Sequence, residues 1–372
     1  MNIIFRADAN RNIGMGHIMR CLSIADAFQA LDHQIIFIIA DKGISSFIRD
    51  REYEAIVLNS DYKDMESEID MWPTITPDII IVDSYFVTEA YFRFLQNKVG
   101  CNGGKLIYID DVYTFPYSVD ILVNYNTYSI PSIYDSLYNE SKVERPQFIL
   151  GHSYAPLRSM FKGLAKKVQN EKVQNILIST GGSDDLHLAL SILRHLIDSG
   201  ISKVRKRTYH FLLGAMNTDK ESIRTVAENK DFIVLHVNIT DMKSLISEMD
   251  LVISAAGSTL YEICACGVPL ITYSVSDNQI FGAEAFERLR LGINVGDLRD
   301  RHSMDSTPVM SGKLKSDAVE IILQATEELA SDYKSRIDMG TRMQELIDGF
   351  GAERMVQEIM NLTTPASELL TS

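Results

Sequence analysis

Two uninterrupted apolar runs, Ile35-Ile36-Phe37-Ile38-Ile39 and Ile79-Ile80-Ile81-Val82, limit what this chain can fold into more than any other feature. A strand with one wet face alternates apolar and polar residues. A run without alternation therefore predicts a strand covered on both faces, as in a parallel sheet. Both runs fall far short of the ~20 residues that span a bilayer. They are set in a repeating order: Ile3 to Arg6, a helix from about His17 to Leu31, Gln34 to Ala40, Ile79 to Asp83, a helix near Glu89 to Lys98, and Leu106 to Asp110. That β-α-β rhythm predicts an α/β domain.

The rhythm pauses in a tyrosine-rich stretch with Pro131, Pro146 and Pro156, then restarts. The second set runs Asn175 to Ser179, a helix over Leu186 to Ser199, Thr208 to Leu213, Ile233 to His236, Leu251 to Ala255, a helix after Ser258, and Leu270 to Tyr273. From about Lys315 to Leu362 the near-3.6 spacing of apolar residues predicts helices. At 372 residues the chain exceeds what one core usually supports. Two Rossmann-like domains are expected, residues 1–155 and 156–372, the second carrying the helical extension. Parallel sheets facing across a cleft would set strand ends, turns and helix starts along one crevice, where α/β sheets bind ligands.

Composition narrows the function classes. Fifty acidic against 36 basic residues leave a formal charge of −14, which argues against nonspecific nucleic-acid or anionic-membrane binding. A phosphate remains possible, because helix-start amides hold one locally whatever the net charge. The opening Met-Asn-Ile-Ile-Phe-Arg enters a strand pattern directly, without a signal-type segment, so a cytoplasmic protein without membrane insertion is expected. Cys21, Cys101, Cys264 and Cys266 lack the C-x-x-C spacing of a structural zinc site and read as reduced, buried thiols. Phosphate-binding, dinucleotide, zinc-protease and serine-hydrolase signatures are missing: there is no G-x-x-x-x-G-K-[ST], no G-x-G-x-x-G after a strand, no H-E-x-x-H and no G-x-S-x-G.

Chemistry concentrates at the strand-to-helix turns. In the first, Ile13-Gly14-Met15-Gly16-His17 leads to Arg20, a further candidate substrate contact. Gly14 and Gly16 let a ligand approach the backbone, and the helix start favours the neutral imidazole that a general base requires. The same residues would also serve simply to make a turn. A second turn carries Gly181-Gly182-Ser183-Asp184-Asp185, in which an aspartate is better read as a helix cap than as a catalytic acid. In a third, Gly257, Ser258 and Thr259 would present amides and hydroxyls to a diphosphate, and Glu262 would accept from a ribose diol. Thr259-x-x-Glu262 equally fits a capping box that needs no ligand. Asn278-Gln279 after the Leu270 strand and Tyr85 in Asp83-Ser84-Tyr85 offer groups to sugar hydroxyls or make ordinary loops.

Taken together and in order, the motifs resemble a known family. They are Phe5-Arg6-x-Asp8, Ile13-Gly14-x-Gly16-His17-x-x-Arg20, Gly151-x-x-Tyr154-Ala155-x-Leu157-Arg158-x-x-Phe161, Gly181-Gly182-Ser183-Asp184, Ser254-Ala255-x-Gly257-Ser258-Thr259-x-x-Glu262 and Asp277-Asn278-Gln279. Over about Met1 to Gly296 the chain resembles the UDP-2,4-diacetamido-2,4,6-trideoxy-β-L-altropyranose hydrolases of pseudaminic acid biosynthesis and related spore-coat polysaccharide proteins. The resemblance implies a glycosyltransferase-B-like fold with uridine diphosphate held mainly by the second domain. It also implies hydrolysis of a UDP-linked amino sugar without metal or cofactor. Carried over by position, it makes His17 the base that activates water and puts substrate contacts on Arg158, Ser258, Glu262 and Asn278. Members of the family often have Asp-His-Tyr where this chain has Asp83-Ser84-Tyr85, which opens the identity of the sugar. The rival expectation is a glycosyltransferase, in which the same histidine deprotonates an acceptor hydroxyl.

Overall fold

The computed structural model describes residues 1–10, 13–100, 103–200, 206–300 and 313–363. The chain divides into two compact units, Met1–Ser159 together with the segment from Phe350, and Met160–Gly349.

The first unit is built on seven parallel strands: β1 (Asn2–Ala7), β2 (Gln34–Ile39), β3 (Glu54–Val57), β4 (Ile79–Asp83), β5 (Lys105–Ile109), β6 (Ile121–Asn124) and β7 (Gln147–Leu150). Their order is β3-β2-β1-β4-β5-β6-β7. The helices are α1 (Gly16–Gln29), α2 (Ser45–Arg49), α3 (Glu89–Gly100) and α4 (Pro131–Tyr138). Both faces are covered, which accounts for the apolar runs. On one, Ile4, Ile38, Ile80, Val82, Leu106 and Leu122 pack under Tyr91, Phe92 and Leu95 of α3 and Tyr134 of α4. On the other, Phe5 stacks on Phe37 with ring centroids 5.0 Å apart and meets Phe28 of α1 edge-on.

The second unit carries six parallel strands: β8 (Asn175–Ser179), β9 (Thr208–Leu213), β10 (Ile233–Val237), β11 (Leu251–Ala255), β12 (Leu270–Ser274) and β13 (Ile293–Asp297). Their order is β10-β9-β8-β11-β12-β13. Its helices are α5 (Leu188–Asp198), α6 (Lys220–Ala227), α7 (Met242–Ser247), α8 (Thr259–Cys266), α9 (Asp277–Arg288), α10 (Ala318–Ser331) and α11 (Tyr333–Leu346). In each sheet the strand order reverses beside the unit's first strand, between β1 and β4 and between β8 and β11. Ligands of open α/β sheets bind at the carboxyl ends of the strands flanking that point.

The units differ from the expected 1–155 and 156–372. The tyrosine-rich stretch in which the rhythm pauses holds α4 and β7 of the first unit, and the division comes after Ser159. The expected helical extension is α10, α11 and a further helix, α12 (Gly351–Thr363), and α12 belongs to the first unit. It packs along α1 and the 152–154 turn, with Arg354 Nε donating to the Ser153 carbonyl at 2.8 Å. Gly351 lies so close to Ala155 that an added Cβ would stand 2.1 Å from its carbonyl oxygen. The buried stripe Ala352, Met355, Val356 and Ile359 needs a cover, and periodicity alone does not say which domain supplies it.

Candidate functional site

In the first unit the chemistry gathers at the ends of β1 and β4, which pair with Ala7 opposite Asp83. After β1 the chain turns at Gly14, whose φ of +72° suits glycine, and Gly14 N donates to the Asn10 carbonyl at 2.8 Å. Gly16 then opens α1, putting His17 in its first turn and Arg20 one turn on, so both side chains lie along one helix face. Both are buried.

Asp83 is the hub. Its Oδ1 accepts from His17 Nδ1 at 2.5 Å and from Arg20 Nη2, and its Oδ2 accepts from Arg20 Nε at 2.5 Å and more weakly from the Cys21 thiol at 3.5 Å. Burial works against its charge, yet the Arg20 guanidinium and His17 hold its carboxyl well below the ordinary carboxylate range. The ionised carboxylate accepts the hydrogen bond from Nδ1–H and leaves His17 Nε2 with its lone pair, the tautomer a general base needs. Arg20 Nη2 also lies 3.1 Å from His17 Nδ1. With that nitrogen protonated, the contact is two donors converging on one oxygen.

Two further groups surround this pair. The Tyr85 ring stands edge-on to His17 with centroids 4.5 Å apart, and its hydroxyl donates to Asp111 Oδ2 at 3.2 Å. Arg20 Nη1 donates to Asp111 Oδ2 and to the Tyr125 hydroxyl, each at 3.0 Å. Arg20, expected to contact substrate, thus has its guanidinium engaged by Asp83, Asp111 and Tyr125. Ser84 turns inward and accepts from Phe86 N at 3.2 Å, closing the turn that presents Tyr85. Arg158 lies half-buried near the end of this unit's first segment.

In the second unit the expected residues follow three neighbouring strands, β8, β11 and β12. After β8, Gly181 has φ +87°, and Gly182 is exposed with Ser183 half-buried beside it. Asp184 is the cap the sequence suggested: Oδ1 accepts from Leu188 N and Oδ2 from Ala189 N, each at 3.0 Å, so a carboxylate already occupies the start of α5. Burial pushes its pKa up to about 6.

After β11, Gly257 and Ser258 are exposed and α8 begins at Thr259. The capping-box alternative is not met by Thr259, because Ser258 is the N-cap and makes no side-chain cap bond. Glu262 lies half-buried in the first turn of α8. After β12, Gln279 Oε1 accepts from Val275 N at 2.9 Å and closes the turn, whereas Asn278 is exposed with its Oδ1 accepting from the Ser276 hydroxyl.

Sequence reasoning missed Asp83 as the partner of His17, as well as Asp111 and Tyr125. The only available signal was position, since Asp83 ends one apolar strand and Asp111 follows another. Cys21, Cys264 and Cys266 are buried free thiols, as expected, while Cys101 lies outside the described residues. Among the described residues no cluster of three or more His, Cys, Asp or Glu is placed to hold a metal ion, and no helix is long and apolar enough to cross a membrane.

The glycosyltransferase family 28 C-terminal domain matches residues 176–297, from β8 through β13. An uncharacterized protein of Methanocaldococcus jannaschii is 25% identical over 87% of the chain, which spans 66% of that protein's length. The spore coat polysaccharide biosynthesis protein SpsG of Bacillus subtilis is 20% identical over 97% of the chain and 98% of its own length. A UDP-2,4-diacetamido-2,4,6-trideoxy-β-L-altropyranose hydrolase of Campylobacter jejuni is 25% identical over 70% of the chain and 87% of its own length. Among solved structures, MnaA of S. aureus, in a co-structure with UDP, superposes with a TM-score of 0.63 at 13% identity, covering 97% of this chain and 98% of that one. MurG of Acinetobacter baumannii superposes with a TM-score of 0.61 at 13% identity, covering 97% and 100%. The chain thus has the fold of the glycosyltransferase-B structures, two parallel sheets with helices, and is similar in sequence to the spore-coat protein and to the sugar-nucleotide hydrolase.

Proposed function

We propose that this protein hydrolyses a UDP-linked amino sugar, UDP-2,4-diacetamido-2,4,6-trideoxy-β-L-altropyranose or a close relative, to UDP and the free sugar. The observation that carries the reading is the His17–Asp83 pair, which leaves Nε2 of a buried imidazole as the basic nitrogen. Water attacks the anomeric carbon and gives its proton to His17 Nε2. The bond from that carbon to the diphosphate oxygen breaks, and the electron pair leaves with UDP. Asp83 and Asp111 against Arg20 leave the cluster one negative charge in excess. The imidazolium formed in the reaction neutralises that excess.

The second unit supplies the diphosphate site. Of its two candidate helix starts, α5 has its Leu188 and Ala189 amides already taken by the Asp184 carboxylate. The α8 start has no side-chain cap, and its amides with Gly257, Ser258 and Thr259 suit the departing phosphates. Glu262 and Asn278 are assigned to the nucleoside and sugar hydroxyls. Arg158 is assigned to the substrate as well, by family resemblance.

A second reading, transfer of the sugar to an acceptor hydroxyl, is favoured by the family match over 176–297. The deciding experiment is acceptor-free UDP release in ¹⁸O-water. Hydrolysis puts the label in the sugar's anomeric hydroxyl, and His17→Ala lowers turnover by about 10²- to 10⁴-fold while UDP binding persists. No UDP release by wild type until an acceptor alcohol is added would transfer the assignment to a glycosyltransferase.

A further inference from the structure

Asp110 and Asp111 are neighbours of the same residue type at the end of β5, but the structure gives them opposite work. Asp110 is consumed by the fold. Its Oδ1 accepts from Val112 N, Tyr113 N and the Tyr117 hydroxyl, and its Oδ2 from the Tyr134 hydroxyl. Asp111 bonds through Oδ2 to Arg20 and Tyr85, and Oδ1 takes no hydrogen bond from a described residue. Both of its partners touch His17: Tyr85 by its ring, and Arg20 through the Asp83 oxygen that also holds Nδ1.

We propose that Asp111 is a positioning residue that braces His17 from two sides without contacting it, so that Nε2 is held in one orientation toward the reacting water. The proposal rests on the hydrolase reading for its kinetic consequence only. The mechanical basis is that Arg20 lies on α1 and Tyr85 on the turn after β4, two separate elements that meet at His17. One carboxylate oxygen accepting from both ties the helix bearing the base to the turn that packs against it. An asparagine at 111 presents one acceptor and one donor group to two donors and removes the charge facing Arg20.

The test is a double-mutant cycle of Asp111→Asn and Tyr85→Phe. Tyr85→Phe keeps the ring against His17 and deletes only the hydroxyl. Asp111→Asn is expected to lower kcat roughly 10- to 100-fold with the dissociation constant for UDP unchanged. Because both variants cut the same bond, their effects should be non-additive, the double variant falling within about threefold of Asp111→Asn alone. Multiplying effects, or a kcat for Asp111→Asn within twofold of wild type, would overturn the bracing role.

A measurement that needs no substrate separates this proposal from the reaction assigned above. Because Asp83 keeps the Nδ1–H tautomer in both proteins, the readout is ring orientation: the His17 imidazole resonances of the folded protein should form one sharp set in wild type and should broaden or double in Asp111→Asn. An unchanged spectrum in the variant refutes the brace even if hydrolysis is established. A changed spectrum upholds it even if wild type proves to be a transferase.

Discussion

Replacing Asp83 by asparagine tests the core of the mechanism, because it changes the hydrogen-bonding sense of one buried group and little of its shape. Asp83 is 1% exposed and receives His17 Nδ1, Arg20 Nε and Arg20 Nη2 on its two oxygens. An amide has one acceptor oxygen, so wherever its NH₂ points it meets a donor. If the NH₂ faces His17, Nδ1 must accept, the proton moves to Nε2, and the base is lost. The charge is lost in either orientation. A unit charge about 4 Å from the developing imidazolium, at an effective dielectric constant of about 20, contributes about 4 kcal/mol. That corresponds to about 10³-fold in rate. Stability falls as well, by up to about 3–5 kcal/mol for a broken buried pair, and by less to the extent that Asp111 still compensates Arg20.

The two effects are separable. Trp72 is the only tryptophan in the chain and is buried in the first unit, so its emission during urea unfolding reports on that unit. The assay is turnover of the UDP-sugar under conditions where Trp72 shows the variant folded, with UDP affinity measured by calorimetry. A folded Asp83→Asn protein within tenfold of the wild-type rate would refute the claim that this carboxylate sets the His17 tautomer.

Three other outcomes follow from the same structure. Arg6, fully buried, is held by Glu68 and Asp8, and Glu68 also accepts from Ser60 and Tyr91; Glu68→Ala should cost about 3–5 kcal/mol in urea unfolding followed by Trp72. Asp184 has its pKa raised to about 6 by burial, so the stability it contributes is present below its unfolded value near 4 and lost as pH rises through about 6. Thermal unfolding of wild type should therefore weaken from pH 4.5 to 7.5 relative to Asp184→Asn, and parallel curves would count against it. A Cβ added at Gly257 meets nothing within 4 Å, so Gly257→Val should leave the melting temperature nearly unchanged while weakening UDP binding roughly tenfold, read by calorimetry.

Much of the fold was legible because buried parallel strands leave a one-dimensional mark. Asn175–Ser179, Thr208–Leu213, Ile79–Asp83 and Leu251–Ala255 lie where the apolar runs place them. The shorter or less apolar strands β3, β6, β7 and β13 escaped, as did α4 inside the tyrosine-rich stretch. There Asp110 and Asn124 organise Tyr113, Tyr117 and Tyr134 into a polar core that carries no simple period.

The site divides along the same line. Glycines before a helix, a histidine in its first turn and an arginine three residues on are local facts, and local sequence determined them. The partners of those side chains were set by strand order. Placing β4 beside β1 brings Asp83 to His17 across 66 residues, and placing β5 next to β4 brings Asp111 to Arg20 across 91. The capping chemistry of α5 and α8 was likewise settled by backbone turns of a few degrees of freedom, which composition does not encode. Residue type and spacing thus determined which groups exist and on which elements, whereas only tertiary structure decided which carboxylate meets the histidine, because hydrogen bonds depend on distance in space and a sequence records distance along the chain.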